Sequence, residues 1–424
     1  MLNIHTIRQN PDFVIQGLTK KHVENPQEKV QKILEIDKQY RENLTLLEQK
    51  RSELNKLSKS IGIEMGKGNK EFAEQLKSQT VLCKKDIELL ENNNIELQNQ
   101  LHQAIVALPN IPHSSVPHGK TAEENVVVYE NSRTKEIFEG ALPHWEIAKE
   151  KNIIDFETGS KITGAGFPLY RGNGAKLQRA LINYFLDKAH LAGFTEMHVP
   201  ILVNQDSAFA TGQLPDKEGQ MYYVNQDDLY LIPTAEVPIT NIYRDLILEE
   251  KDLPIKNCGY TPCFRREAGS YGSHVRGLNR LHQFDKVEIV YITTPDLSYQ
   301  ALEEMVEHVK GLMEDLELPF RILNLCGGDM SFASAKTYDF EVWSAAQKRW
   351  LEVSSVSNFE TFQSNRLKLR YRTSDKKTEL LHTLNGSALA LPRIVAALLE
   401  NHQQPNGVII IPKALQTYLG IEKI

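Results

Sequence analysis

Residues 258–292 read CGYTPCFRREAGSYGSHVRGLNRLHQFDKVEIVYI, and the fold is decided by how this stretch is parsed. Short β-like runs at Cys258–Arg266 and His282–Ile292 predict two strands, and AGSYGSHVRG between them supplies the glycines of a long loop. The result is a long-looped antiparallel hairpin whose first strand ends on Phe264, Arg265, Arg266 and Glu267. The planar fork of arginine suits bidentate contact with phosphate or carboxylate. Phe284 is placed to stack on a nucleobase, and Glu267 to accept from an exocyclic amine. Taken alone, the same residues also describe an exposed hairpin with an ordinary arginine pair.

Downstream, residues 381–403 read LHTLNGSALALPRIVAALLENHQ. A strand through His382–Asn385, a turn at Gly386 and a helix with Pro392 in its first turn are expected. Arg393 then lies near a helix N-terminus, a favourable place to meet an anion. Upstream, Leu177, Leu181, Ile182, Phe185, Leu186 and Ala189 mark a helix over Ala175–Ala192, which runs on into the extended segment GFTEMHVPILV. Further strands are expected around Tyr222 and Leu229. This is mixed α+β grammar with antiparallel strands, not regular βαβ repetition. No GxGxxG follows a strand and no GxxxxGK[ST] occurs, which disfavours Rossmann and P-loop nucleotide sites.

The first hundred residues follow a different rule. Val30, Ile33, Tyr40, Leu44, Leu47, Leu54 and Ile61 recur at helical spacing, interrupted by Asp37, Arg51 and Ser58. A break with Gly62, Gly66 and Gly68 follows, and the stripe resumes at Phe72, Leu76, Cys83, Ile87, Leu90, Leu97 and Leu101. Two such stripes predict an antiparallel coiled-coil hairpin of roughly 35 residues per helix, about 50 Å long. From Lys50 to Lys85 there are nine Lys/Arg against four Asp/Glu, so the far end is basic. A solvated coiled-coil surface is the ordinary meaning of such charge, and a nucleic-acid contact the sharper one. The connector ALPNIPHSSVPHG, with Pro109, Pro112 and Pro117, ends the hairpin. Domains over 1–106 and 107–424 are expected.

Bulk properties narrow the class. With 424 residues, 41% hydrophobic and 25% charged, the chain is long enough for two ordinary globular domains. A net charge of −6 argues against general nucleic-acid affinity without excluding a local basic patch. Cysteines at 83, 258, 263 and 326 make neither a disulfide framework nor a common zinc spacing. The start, MLNIHTIRQNPDF, shows no secretory pattern, and apolar runs such as Ile394–Leu399 are too short to span a bilayer. A cytoplasmic protein without membrane contact is expected.

In this order, the helix before GFTEMHVP, the FRRE hairpin and the LPR helix resemble the three signature motifs of class II aminoacyl-tRNA synthetases. The resemblance sharpens with TAEVP at Thr234–Pro238, GYTPCFRREAGS, HQFDKVE, GDMSFASAKTYDFEVW, EVSSVSNFETFQSNRLKLRYR and LNGSALALPR, which are similar to seryl-tRNA synthetase sequence. The similarity runs over essentially the whole chain. It implies a ligase that activates L-serine with ATP and passes it to the 3′ end of tRNA(Ser); the family also serylates tRNA(Sec). Carried over by this resemblance, Arg265 bridges the α-phosphate and the serine carboxylate, and Arg393 contacts the triphosphate. Arg265, Arg266, Glu267 and Phe284 hold the ATP base, while Glu352, Val353, Ser354 and Ser355 complete the ATP site. Glu352 and Ser355 bind the nucleotide through Mg²⁺. Thr234, Ala235 and Glu236 match the amino-acid site, with Glu288 and Ser387 the candidates for reading the serine hydroxyl. The helical arm clasps tRNA, and the chain forms a homodimer with Pro200 near the subunit boundary. No Cys/His set matches the rarer zinc-binding branch, so a zinc-free site is implied. Phe359 stands where the family pattern leads one to expect a small residue or cysteine. Two rival readings are a related ligase that loads a carrier protein and a catalytically silent homologue using the arm as an interaction module. The first lacks such an arm, and the second expects damaged motifs.

Overall fold

The computed structural model describes residues 1–216, 218–267 and 276–424, so residues 268–275 of the hairpin loop expected above lie outside the described residues. The chain divides into two compact units, residues 1–19 with 23–109 and residues 20–22 with 110–424.

The first unit is built on two long helices, α1 (Pro26–Gly66) and α2 (Lys70–Val106). Val30, Ile33 and Leu47 of α1 and Leu76, Cys83 and Leu97 of α2 are buried along the seam. Asp37, which breaks the apolar stripe, is buried too, because Arg8 and Arg41 reach it at 2.7 and 3.0 Å. Buried Asn43 donates to the Leu90 carbonyl at 2.9 Å, so a polar residue crosses the seam with its hydrogen bonding met. The expected break is shorter than the glycines suggest. Gly62 and Gly66 stay helical, since a helical glycine costs only about 1 kcal/mol, and Gly68 alone takes the left-handed backbone, at φ +81°. Phe72 is corrected as well: it is 45% exposed, and Ala73 beside it takes the seam position.

The second unit centres on an eight-stranded sheet: β1 (Val126–Glu130), β2 (Thr195–Glu196), β3 (Ile255–Phe264), β4 (Gln283–Thr293), β5 (Phe320–Asn324), β6 (Lys336–Ser344), β7 (Arg349–Asn358) and β8 (His382–Ala390). Their order is β1-β5-β6-β7-β8-β4-β3-β2. Every neighbour is antiparallel except the parallel edge pair β2–β3. Helices α3 (His144–Glu150), α4 (Asn173–Leu191), α5 (Glu236–Asn241), α6 (Ser298–Asp315), α7 (Thr361–Leu367) and α8 (Leu391–Asn401) flank it.

Strand β4 shows how the sheet separates its faces. Val287, Ile289 and Tyr291 enter the main core with Leu181 and Phe185 of α4, Met305 of α6 and Ile394 of α8. Val290 and Ile292 point the other way, to a smaller core with Ala235, Ile239 and Leu367. Lys286 and Glu288 share the face of Val290, so that face carries the polar chemistry.

Gly386 is not the expected turn. Strand β8 continues through it to Ala390, and α8 starts at Leu391. A Cβ at Gly386 would lie 3.1 Å from Val356 Cγ2, so close strand packing explains this glycine better than a bend does. Pro392 does occupy the first turn of α8.

Candidate active site

A cavity of about 650 Å³ opens on the polar face of the sheet. A narrower pocket of about 90 Å³ adjoins it, and the two share Arg265, Glu267, Arg280, Lys286, Glu352, Ser387 and Arg393. They form one continuous site.

One end is built to receive anions. Arg265 follows the last residue of β3, and its N–H donates to the His282 carbonyl at 2.9 Å, which keeps the hairpin closed past the paired strands. Its guanidinium carbon lies 5.4 Å from the Phe284 ring centroid. Arg393, in the first turn of α8, donates from Nε to the Asn279 carbonyl at 2.9 Å and from Nη1 to the Glu352 carbonyl at 2.6 Å. Burial lowers the Arg393 pKa, and the charge of Glu352 opposes that fall. Glu267 holds φ +47° and meets Arg280 at 2.9 Å. Leu278, Leu281, Phe284, Val353, Ala390 and Pro392 give the narrower pocket apolar walls. Arg266 departs from its neighbours: it is exposed, its N–H is bound to the Gln220 carbonyl, and its side chain lines neither part of the site.

Glu352 and Ser355 meet through a defect in the sheet. Three residues apart on a regular strand, they would point to opposite faces. Between Phe340↔Ser354 and Glu341↔Glu352 the register shifts, so Val353 is an extra residue in β7. The bulge restores a common face, and both side chains line the cavity. Asp339, paired with Ser355 across the strands, has a buried Oδ1 without a hydrogen-bond partner. Burial, and then the charge of Glu352, raises its carboxyl pKa well above the ordinary value. Hard oxygens beside an unsatisfied carboxylate suit a divalent cation that keeps most of its coordination for water and phosphate. Among the described residues, no group of three or more His, Cys, Asp or Glu is arranged to hold a metal by itself.

The other end is acidic and closely bonded. Glu288 Oε2 accepts from Thr234 Oγ1 at 3.0 Å and lies 2.5 Å from Lys286 Nζ. Its second oxygen accepts from Asn385 Nδ2 at 3.1 Å. Lys286 also donates to Thr234 Oγ1 at 2.9 Å. Glu236, at the start of α5, accepts from Gln363 Nε2 at 2.6 Å. Burial raises the Glu236 carboxyl to about 7, with the charge of Glu288 adding to the rise and the Gln363 bond opposing it. Two carboxyls and one lysine leave the subsite a cation short once both acids ionise, which fits the ammonium of an amino acid.

The remaining expected residues divide. Ser387 pairs with Glu288 across β8 and β4 and lines the cavity, while Ser354 Oγ donates to the Ser387 carbonyl at 2.5 Å. Ala235 is fully buried in the smaller core and lines neither part of the site. Phe359 is buried at 5% exposure and forms part of the cavity wall. Lys286, Asn385 and Gln363 escaped the sequence reading. For Lys286 a signal existed, since Phe284, Lys286 and Glu288 alternate at period two along β4.

The two cationic clamps over an antiparallel sheet agree with a family match. Residues 221–402 fit the family model described as tRNA synthetase class II core domain (G, H, P, S and T), which makes this chain a class II aminoacyl-tRNA synthetase. Residues 1–112 fit the seryl-tRNA synthetase N-terminal domain. A curated serine–tRNA ligase of Salinibacter ruber is 51% identical over 100% of this chain and 99% of its own length. The chain therefore belongs to the seryl-tRNA synthetase family, and its activity is the ATP-dependent ligation of serine to tRNA. The crystal structure of seryl-tRNA synthetase from Pyrococcus horikoshii complexed with ATP is similar at TM-score 0.94 and 35% identity, covering 100% of this chain and 99% of that one. The cytoplasmic serine–tRNA ligase of Naegleria fowleri in complex with AMP matches at TM-score 0.89 and 26% identity, covering 100% and 98%. Among the described residues no helix is long and apolar enough to cross a membrane.

Proposed function

We propose that the two ends of the cavity divide the substrates, ATP over Arg265, Phe284 and Arg393, and serine over Thr234, Glu236 and Glu288. The observation that carries this is one continuous site in which Arg265 and Arg393 line both parts, while the buried Glu236 and Glu288 line only the wider one. Adenine enters the narrower pocket against Phe284, with Glu267 and the backbone beside it. Arg393 takes the triphosphate. Arg265 stands between, where the serine carboxylate attacks the α-phosphate; a fixed cation offsets both the repulsion of two anions and the charge that builds in the transition state. The ammonium of serine meets Glu236, and its hydroxyl donates to Glu288 beside Ser387. Alanine is rejected because it would leave a buried carboxylate short of a partner. Pyrophosphate leaves, and the 3′-terminal ribose hydroxyl of tRNA then attacks the seryl carbonyl, breaking its anhydride bond to phosphate and releasing AMP.

Glu352 and Ser355 are the residues that would hold Mg²⁺, which when bound neutralises phosphate charge. Residues 1–106 form the tRNA-binding arm and 107–424 the catalytic domain. Lys56, Lys59, Lys84 and Lys85 are exposed at the basic end of the arm and suit the phosphates of a long tRNA arm. The tRNA is tRNA(Ser), with tRNA(Sec) a second substrate in a host that has one. The chain works in the cytoplasm as a homodimer, with Pro200 near the boundary. Serine-dependent ATP–pyrophosphate exchange across all twenty amino acids tests the assignment. Exchange supported by serine alone is expected; equal exchange with alanine would remove Glu288 from its role.

A further inference from the structure

His144 has no part in the reaction as written, yet it is fully buried and fully bonded. It opens α3, a helix outside the sheet. Its Nδ1 lies 2.7 Å from Glu400 Oε1, and its Nε2 accepts the Leu278 N–H at 2.9 Å. An acceptor nitrogen carries no hydrogen, so this pattern requires the neutral ring with its proton on Nδ1, donated to Glu400.

Leu278 precedes Asn279, whose carbonyl receives Arg393 Nε at 2.9 Å. A second path reaches the same residue. Glu400 Oε2 accepts from Ser344 Oγ at 2.5 Å, Ser344 Oγ accepts the Gln347 N–H at 3.3 Å, and the Gln347 side chain pairs with the Asn279 amide at 2.9 and 3.3 Å. Both paths start at Glu400, on the same helix as Arg393. Helix α8 thus carries the arginine at its first turn and, two turns on, the carboxylate that anchors the carbonyl holding that arginine.

We infer that His144 is a positioning residue for ATP: its imidazole pins Leu278 and Asn279, and through the Asn279 carbonyl it sets the direction of the Arg393 guanidinium. The inference rests on the assignment of Arg393 to the triphosphate. His144 touches no substrate. Its contribution is to keep the end of the hairpin loop and the start of α8 in one register, so that Arg393 meets ATP already aimed. Gly277 shows how closely the ring fits. At φ +68°, a Cβ there would lie 2.2 Å from His144 Nε2.

The test separates the two ring nitrogens. Asparagine places an amide near Nδ1, keeping the Glu400 bond without reaching Leu278; glutamine places its oxygen near Nε2. With the full-length enzyme in pyrophosphate exchange, His144→Asn is expected to raise KM for ATP about tenfold, the effect of one buried donor left unmet. KM for serine should stay within about twofold, and His144→Gln should restore most of the ATP value. Amide exchange at Leu278 should quicken in His144→Asn and not in His144→Gln. Should His144→Asn fail to fold, Gly277→Ala presses on the ring from the loop side and is expected to raise KM for ATP in the same way. Equal shifts for both substrates, or equal effects of Asn and Gln, would overturn the inference, as would an unchanged KM for ATP in a folded His144→Asn or, where that variant does not fold, in Gly277→Ala. Arg393→Ala, measured alongside, keeps the failures apart. If it too leaves KM for ATP unchanged, the ATP assignment falls; if it alone raises KM, only the His144 link does.

Discussion

Lys286 Nζ stands 2.5 Å from Glu288 Oε2, two residues apart on one face of β4, with side chains only 6% and 1% exposed. A buried pair is costly to split, because the survivor keeps its desolvation without its partner. Thr234 ties the two together by bonding to both. Lys286→Met should therefore destabilise the chain by about 3–5 kcal/mol in urea unfolding. The double variant Lys286→Met/Glu288→Gln should lose much less than the two single losses combined. Strict additivity would mean that the pair is not coupled as its geometry implies.

If Glu236 meets the serine ammonium as proposed, serine binding should depend on pH. Its carboxyl is raised to about 7, so in the serine-free enzyme it is largely protonated below that pH. As pH rises through about 7 the carboxylate forms and serine binding should tighten, lowering KM for serine. Stability runs the other way. The folded state holds this proton more firmly than the unfolded chain, so the contribution is complete below the ordinary glutamate value and fades as pH climbs to about 7. Glu236→Gln should flatten both dependences; a KM profile unchanged in that variant would assign the titration elsewhere.

Arg265 is proposed to stand between the α-phosphate and the serine carboxylate. Its removal should cost at least about 10²–10³-fold in serine-dependent pyrophosphate exchange, the loss typical of one transition-state charge partner. Arg265→Lys keeps a charge but loses the fork and should recover only part. Exchange by Arg265→Ala near the parent rate would exclude it from the chemical step.

The helical arm should be dispensable for activation and required for transfer. Deleting residues 28–104 is expected to leave pyrophosphate exchange within a few-fold of the full chain while tRNA aminoacylation collapses. Aminoacylation by the full chain should also weaken as salt rises, because phosphate contacts release counterions. A folded truncation that has lost exchange would contradict this division of labour.

The sequence was most legible where a single period or a single residue type governs the structure. The long stripes of α1 and α2 stood out because a two-helix seam repeats one contact many times. The positions of Arg265, just past a strand end, and Arg393, in a helix's first turn, were legible because composition marks both boundaries. Gly386 misled for a physical reason: a glycine that makes room for Val356 looks the same in sequence as one that bends the chain. Lys286 was overlooked because buried lysines are rare, and its partners lie both beside it and 52 residues away. His144 could not be found at all, since its bond to Leu278 spans 134 positions and no local pattern announces it.

The extra residue in β7 has one more consequence. Because Val353 is what turns Glu352 and Ser355 toward the same side, the distance between them along the chain matters more than what fills it. Exchanging Val353 for another aliphatic residue leaves the count intact, whereas losing one residue there would swing the carboxylate to the back of the sheet with its chemistry unaltered. The strand therefore tolerates substitution far better than shortening, and its arithmetic is as much a part of the enzyme as its side chains.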